Sequence, residues 1–277
     1  MGGRTAMSLE TAEDARRVTR LMRVEYDRLL GYLAALEPEG WEEQSACVEW
    51  PVRQVVSHIG SQPLIFGAML EASLRGAEPM TDEQCRAIWD RFDGLGAEEL
   101  LRELRRSNEG LFRLIASLTD EQLGATMSGF AGPAPVATYL AARLNELVIH
   151  AWDIVWARDK AATLTPDAVQ DLVGLNLTPT RLAGLVKPDR SERLVDKMVE
   201  FHLRNPERFT TLRLAQDNVE AVSDEADEPD LRAELPAEAF VRLLWGRYDV
   251  AAGVLSGELI LDQPELAQPL QALFPGR

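Results

Sequence analysis

Leu144-Asn145-Glu146-Leu147-Val148-Ile149-His150-Ala151-Trp152-Asp153 is the stretch on which the fold turns. Its apolar residues recur at helical intervals, and Glu146 and His150 stand four apart, so a carboxylate and an imidazole project from the same helical face about one turn apart. Arg143 and Asp153 extend that polar line in both directions, while Leu140, Leu144, Leu147, Val148, Ala151 and Val155 fill most of the remainder. Two readings stay open at this point. A single polar line is commonly the solvated face of an amphipathic helix, and it is also the spacing a divalent metal requires of two helical ligands.

Working outward, apolar residues mark three further helices before this one. Thr11-Ala12-Glu13-Asp14 has the form of an N-cap with an acidic third residue, and Ala15, Val18, Met22, Leu29, Leu33 and Leu36 follow at three- and four-residue steps. A second helix starts at Trp50-Pro51, with the proline in the first turn, and runs along Val52, Val55, Val56 and Ile59. After a looser stretch containing Gly76, Pro79, Gly94 and Gly96, Leu101, Leu104, Leu111, Ile115 and Leu118 mark a third. The fourth follows a turn region from Gly129 to Pro135 and covers about 136–157. Four such helices predict a bundle with facing apolar stripes.

The pattern changes after Arg158. Thr165-Pro166 opens a short helix, Pro179 and Pro188 punctuate a helical connection, and strands are expected at 209–215, 219–222 and 231–235. A helix over 237–245 and a last strand over 257–262 complete a small α+β unit, and the acidic 223–230 stretch reads as a solvated loop. The expected division is 1–160 and 161–277.

Composition narrows the function. With 277 residues, 46% apolar, the chain is long enough for one large core or two smaller ones, and no apolar run approaches membrane-spanning length. Its first residues lead into a charged helical segment rather than an apolar leader, which makes the cytoplasm the expected location. A net charge of −16 opposes a phosphate backbone, so neither nucleic acid nor membrane is an expected partner. Cys47 and Cys85 form no closely spaced pair and read as buried thiols. Oligomeric state cannot be read from these residues.

Three histidines occur in the whole chain. His58 falls at the edge of the second helix's apolar stripe, from which it can point along the bundle interior. With Glu146 and His150 it would supply two imidazoles and a carboxylate, the ligand set of a zinc site with a vacant fourth position. A divalent cation beside one carboxylate carries about one net positive charge, which suits it to stabilising an incoming thiolate. His202, in Phe201-His202-Leu203, has no partner spacing and reads as structural.

Trp50-Pro51-Val52-Arg53-Gln54-Val55-Val56-Ser57-His58-Ile59 and Glu146-Leu147-Val148-Ile149-His150-Ala151-Trp152-Asp153 resemble the two helical elements of the mycothiol-dependent maleylpyruvate isomerase family, part of the DinB-like superfamily. The resemblance implies an α+β protein: a DinB-like four-helix bundle followed by a smaller domain similar to sterol-carrier proteins, the latter signalled by Leu243-Leu244-Trp245-Gly246-Arg247. It implies that His58, Glu146 and His150 hold a divalent metal, zinc being the usual ion, and that mycothiol is the thiol cosubstrate. Asp153 becomes an outer-shell or thiol-contacting residue with a part in catalysis, and Arg143 on the same line is a second candidate thiol contact. Arg247 matches an arginine that could approach an anionic substrate between the domains, or it forms a surface ion pair. The expected activity is attack of the thiolate on a small electrophile, ending either in maleylpyruvate-type cis–trans isomerisation or in thiol transfer. A non-catalytic, metal-braced binding or stress-response protein is the alternative.

Overall fold

The computed structural model describes residues 9–129, 132–222 and 226–276. The chain divides into two compact units, residues 8–162 and the part from Thr163 onward. Among the described residues no helix is long and apolar enough to cross a membrane.

The first unit is helical: α1 (Ala12–Ala34), α2 (Val52–Arg75), α3 (Asp82–Asp93), α4 (Ala97–Ala116), a one-turn α5 (Asp120–Leu123), strands β1 (Thr126–Gly129) and β2 (Gly132–Pro135), and α6 (Val136–Trp156). Helix α1 packs on α6, α2 packs on α4, and the ring closes through α2 with α6 and α1 with α4. Thr11 caps α1 and Asp14 returns the bond to the Thr11 backbone, a capping box that fixes where the helix begins. Pro51 sits at the N-cap of α2, one residue before the first helical turn in which the sequence placed it.

Two local features differ from the sequence expectation. The stretch read as loose contains α3, begun by a Thr81/Gln84 capping box; Cys85 and Phe92 are its only fully buried residues, too few to show a periodic stripe. The region read as a turn contributes two short antiparallel strands, with Thr126 opposite Pro135; Phe130 and Ala131 lie outside the described residues.

Pro63 stands inside α2. Its missing N–H deprives the Ile59 carbonyl of a helical donor. Arg143 Nη2 from α6 donates to that carbonyl at 2.9 Å, and Ser107 Oγ from α4 donates to the adjacent Gly60 carbonyl at 2.7 Å. A Cβ on Gly60 would lie 3.1 Å from the Phe92 ring, so the glycine permits the close seat of α3. The carbonyls of Ile59 and Gly60 in α2 are thus tied to two neighbouring helices, immediately after His58.

The second unit contains α7 (Pro166–Asn176), α8 (Pro179–Leu185), β3 (Met198–Arg204), β4 (Arg208–Ala215), β5 (Asn218–Val222), β6 (Leu231–Pro236), α9 (Ala237–Leu244), α10 (Val250–Ser256), β7 (Ile260–Leu261) and α11 (Ala267–Ala272). The sheet order is β5-β4-β3-β6-β7, antiparallel except for β3 beside β6. Helix α9 follows β6 directly and packs on β3, β6 and α7, with Phe201 and Phe240 ring centroids 4.9 Å apart.

The central strand β3 was not expected from sequence, because Val199, Glu200 and Phe201 are buried in succession and no polar–apolar alternation results. Glu200, fully buried, accepts from His202 Nε2 at 2.7 Å, Arg232 Nε at 3.1 Å and the Ala226 N–H at 2.8 Å. His202 is therefore paired within the sheet. The last strand is two residues long rather than the six anticipated, since Gly257 caps α10 at φ +76° and only Ile260 and Leu261 pair with β6. Ser223–Glu225 of the anticipated acidic loop lie outside the described residues.

Candidate metal centre

His58 from α2 meets Glu146 and His150 from α6, with one ligand atom of each residue within 4.8 Å of the others. Glu146 Oε2 is 3.6 Å from His58 Nε2 and 3.5 Å from His150 Nε2. These separations exceed ordinary hydrogen-bond lengths of about 2.7–3.2 Å. They lie near the edge of a tetrahedron whose centre is about 2.1 Å from each ligand, an edge of about 3.4 Å. Two imidazole nitrogens and a carboxylate oxygen so disposed fit a divalent cation of the zinc type.

The polar line on α6 is not a solvated face. Arg143, His150 and Asp153 are all buried, Asp153 completely, while Glu146 and His58 retain 21% and 26% side-chain exposure. The site is thus closed beneath and open along one edge.

Asp153 sets the state of His150. Its Oδ2 lies 2.9 Å from His150 Nδ1, so a proton held at Nδ1 leaves the Nε2 lone pair facing Glu146. Burial pushes the His150 pKa down, but the Asp153 and Glu146 carboxylates outweigh it and the net direction is up. For His58 burial dominates, with the neighbouring His150 adding to it, and the pKa falls. Burial alone would raise Glu146, yet the two imidazoles beside it hold its carboxyl well below the usual range. At neutral pH the site therefore presents a carboxylate, a neutral His58 and a His150 that still competes for a proton.

Arg143 is brought next to this cluster. Besides the Ile59 carbonyl, Nη2 lies 3.4 Å from Asn108 Oδ1, and Nε and Nη1 are buried without a hydrogen-bond partner among the described residues. Burial lowers its pKa to about 10, so the guanidinium remains charged and offsets part of the Glu146 charge.

Sequence reasoning gave Trp50 no functional part. Its ring lies 5.1 Å from His58 and 6.1 Å from His150, centroid to centroid, tilted by 45° and 36° to the two imidazoles. Ser45 Oγ donates to the Trp50 carbonyl at 2.7 Å, and Gln44 Nε2 lies within hydrogen-bonding distance of the carbonyls of Ser45, Cys47 and Trp50, which holds the loop that carries the ring. Gln62 was also missed. It stands one turn after His58, with Nε2 2.7 Å from His58 Nε2.

Arg247 belongs to the second unit. There its Nη1 donates to the Trp245 carbonyl at 2.9 Å. The preceding Gly246 has φ +66° and no room for a side chain, because a Cβ would lie 2.4 Å from Gly276 Cα.

Residues 22–155 match the family described as the mycothiol maleylpyruvate isomerase N-terminal domain, and residues 178–275 match the SCP-2 sterol transfer family. Among solved structures, mycothiol-dependent maleylpyruvate isomerase and a histidine-to-alanine mutant of it each align with a TM-score of 0.65 and 14% identity. Each alignment covers 92% of this chain and 96% of the other. At that identity the likeness is one of fold, and the expected combination of a helical N-terminal domain with a smaller α+β domain is the one found. Comparison with curated proteins gives no match.

Proposed function

We propose that this chain, whose residues 22–155 match the mycothiol maleylpyruvate isomerase N-terminal domain, belongs to that family and is a thiol-dependent metalloenzyme acting on a small electrophile. His58, Glu146 and His150 would hold the divalent cation, zinc by the character of the donor set. The observation that carries this reading is their convergence from two helices at 3.5 and 3.6 Å, beyond hydrogen-bond length and close to a tetrahedral edge. When bound, the cation supplies positive charge that favours the thiolate form of mycothiol over the thiol.

The chain's own residues prepare the site for that chemistry. Asp153 holds the Nδ1 proton of His150 and keeps Nε2 directed inward. Burial keeps His58 neutral, so its lone pair is available at neutral pH. Trp50 packs its ring against the two imidazoles and takes up one side of the site. Arg143 lowers the negative charge that Glu146 and Asp153 would otherwise concentrate, and its unpartnered Nε and Nη1 support a part in receiving an anionic group.

The nucleophile is common to both outcomes. If the thioether adduct rotates about its former double bond and expels the thiol, the product is the trans isomer; if it persists, the product is a conjugate. The family favours isomerisation of a maleylpyruvate-like compound. We place Arg247 as a candidate contact for a substrate carboxylate. Zinc-loaded protein incubated with mycothiol and a panel of electrophiles, read by mass spectrometry, tests this: isomerised substrate with thiol recovered identifies an isomerase, and a stable adduct identifies a transferase. Absence of both across the panel would leave the metal-braced, non-catalytic alternative in its place.

A further inference from the structure

We infer that Gln62 is a thiol-binding residue, donating its side-chain N–H to the sulfur that takes the open position beside His58; this rests on the metallo-thiol reading above. Gln62 lies four residues after His58 on α2, on the same face. Its Nε2 is 2.7 Å from His58 Nε2, the nitrogen that faces Glu146. Its Oε1 is buried and pairs with no atom among the described residues.

This arrangement holds only without a cation. The His58 Nε2 lone pair can accept from Gln62 or coordinate a metal, but not both. Once it is committed to a cation, the Gln62 carboxamide loses its partner while remaining half-buried, where an unpaired amide is unfavourable. What arrives next is the occupant of the position that the three ligands leave open. A thiolate sulfur accepts hydrogen bonds and has no proton to donate, so the amide N–H is the end of Gln62 that matches it. The S–H proton leaves to solvent on binding, and no redox change is involved. Gln62 thus exchanges one acceptor, the empty ligand nitrogen, for another, the sulfur.

The test uses full-length zinc-loaded protein, with calorimetric titration of mycothiol and chelator competition for zinc, on wild type, Gln62→Leu and Gln62→Glu. The expected loss in thiol affinity for Gln62→Leu is about tenfold, the effect of one hydrogen bond to a charged acceptor. Its zinc affinity does not fall, because a competitor for the His58 lone pair has been removed. Gln62→Glu weakens thiol binding further by placing a carboxylate against the thiolate, and this second variant retains the polarity of the site should the leucine fail to fold. Equal thiol affinity in wild type and Gln62→Leu overturns the assignment and leaves the metallo-thiol reading standing. A parallel loss of zinc and thiol affinity overturns it in favour of a purely structural glutamine. Wild-type zinc protein that binds no mycothiol removes the parent reading and this one with it.

Discussion

Replacing Asp153 by asparagine should weaken metal binding while leaving the ligands themselves in place. The carboxylate is fully buried and 2.9 Å from His150 Nδ1. Asparagine has nearly the same shape and its Oδ1 can still accept the Nδ1 proton, so the ring keeps its orientation. What is lost is the negative charge that makes the imidazole a better donor. Loss of such an outer-shell carboxylate costs about 10–100-fold in metal affinity, or roughly 1.4–2.8 kcal/mol. The effect should fall toward the upper end here, because the pair is shielded from water and the anion is among the causes that raise the His150 pKa. Competition against a chelator of known affinity measures it directly, and an NMR titration of His150 should show its pKa falling in the metal-free variant. Zinc affinity within twofold of wild type, in a variant with an unchanged His150 pKa, would refute the role assigned to Asp153.

Arg143→Met leaves the Ile59 carbonyl buried without a donor, at an expected cost of about 1–3 kcal/mol in denaturant unfolding. Adding Pro63→Ala restores the helical N–H, so the double variant should be more stable than the sum of the single effects predicts; strict additivity would break the link between the two residues. The two histidines also give the metal-free protein a distinctive pH profile. His58, with its folded pKa lowered, adds stability as pH rises to the ordinary imidazole value of 6.5, and His150, with its folded pKa raised, loses its contribution as pH rises beyond that value. Stability should therefore peak near the ordinary imidazole pKa, whereas the gain in melting temperature conferred by zinc should grow above it, as His150 gives up its proton. Thermal melts with and without zinc across the neutral range check both signs, and a zinc effect that shrinks with rising pH would contradict the assignment of His150 as a ligand.

The bundle was legible wherever burial follows a helical period. Val18, Met22, Leu29 and Leu33 could be read directly, and all are buried on α1. Helix α3 was hidden because it buries only Cys85 and Phe92, and β3 because Glu200 is buried in the middle of the strand. At the site, His58, Glu146 and His150 were visible as residue types at suitable spacing. Arg143 and Asp153 were legible as members of the same polar line, but what holds Arg143 was not, and neither were the parts of Trp50 and Gln62. Arg143 is held by a carbonyl freed by Pro63 on another helix, a relation no spacing encodes. Trp50 acts through a ring placed by loop hydrogen bonds from Gln44 and Ser45. Gln62 could have been found from its i, i+4 relation to His58, the same signal that singled out Glu146 and His150.

On this reading His58, Glu146 and His150 form a three-ligand metal site whose open position receives a thiol. Calorimetric titration of mycothiol into zinc-loaded and zinc-stripped full-length protein tests it most directly. One thiol should bind per zinc, with a proton released to buffer, and none once the metal is removed. Binding that is indifferent to zinc, or zinc-loaded protein that takes up no thiol, would contradict it.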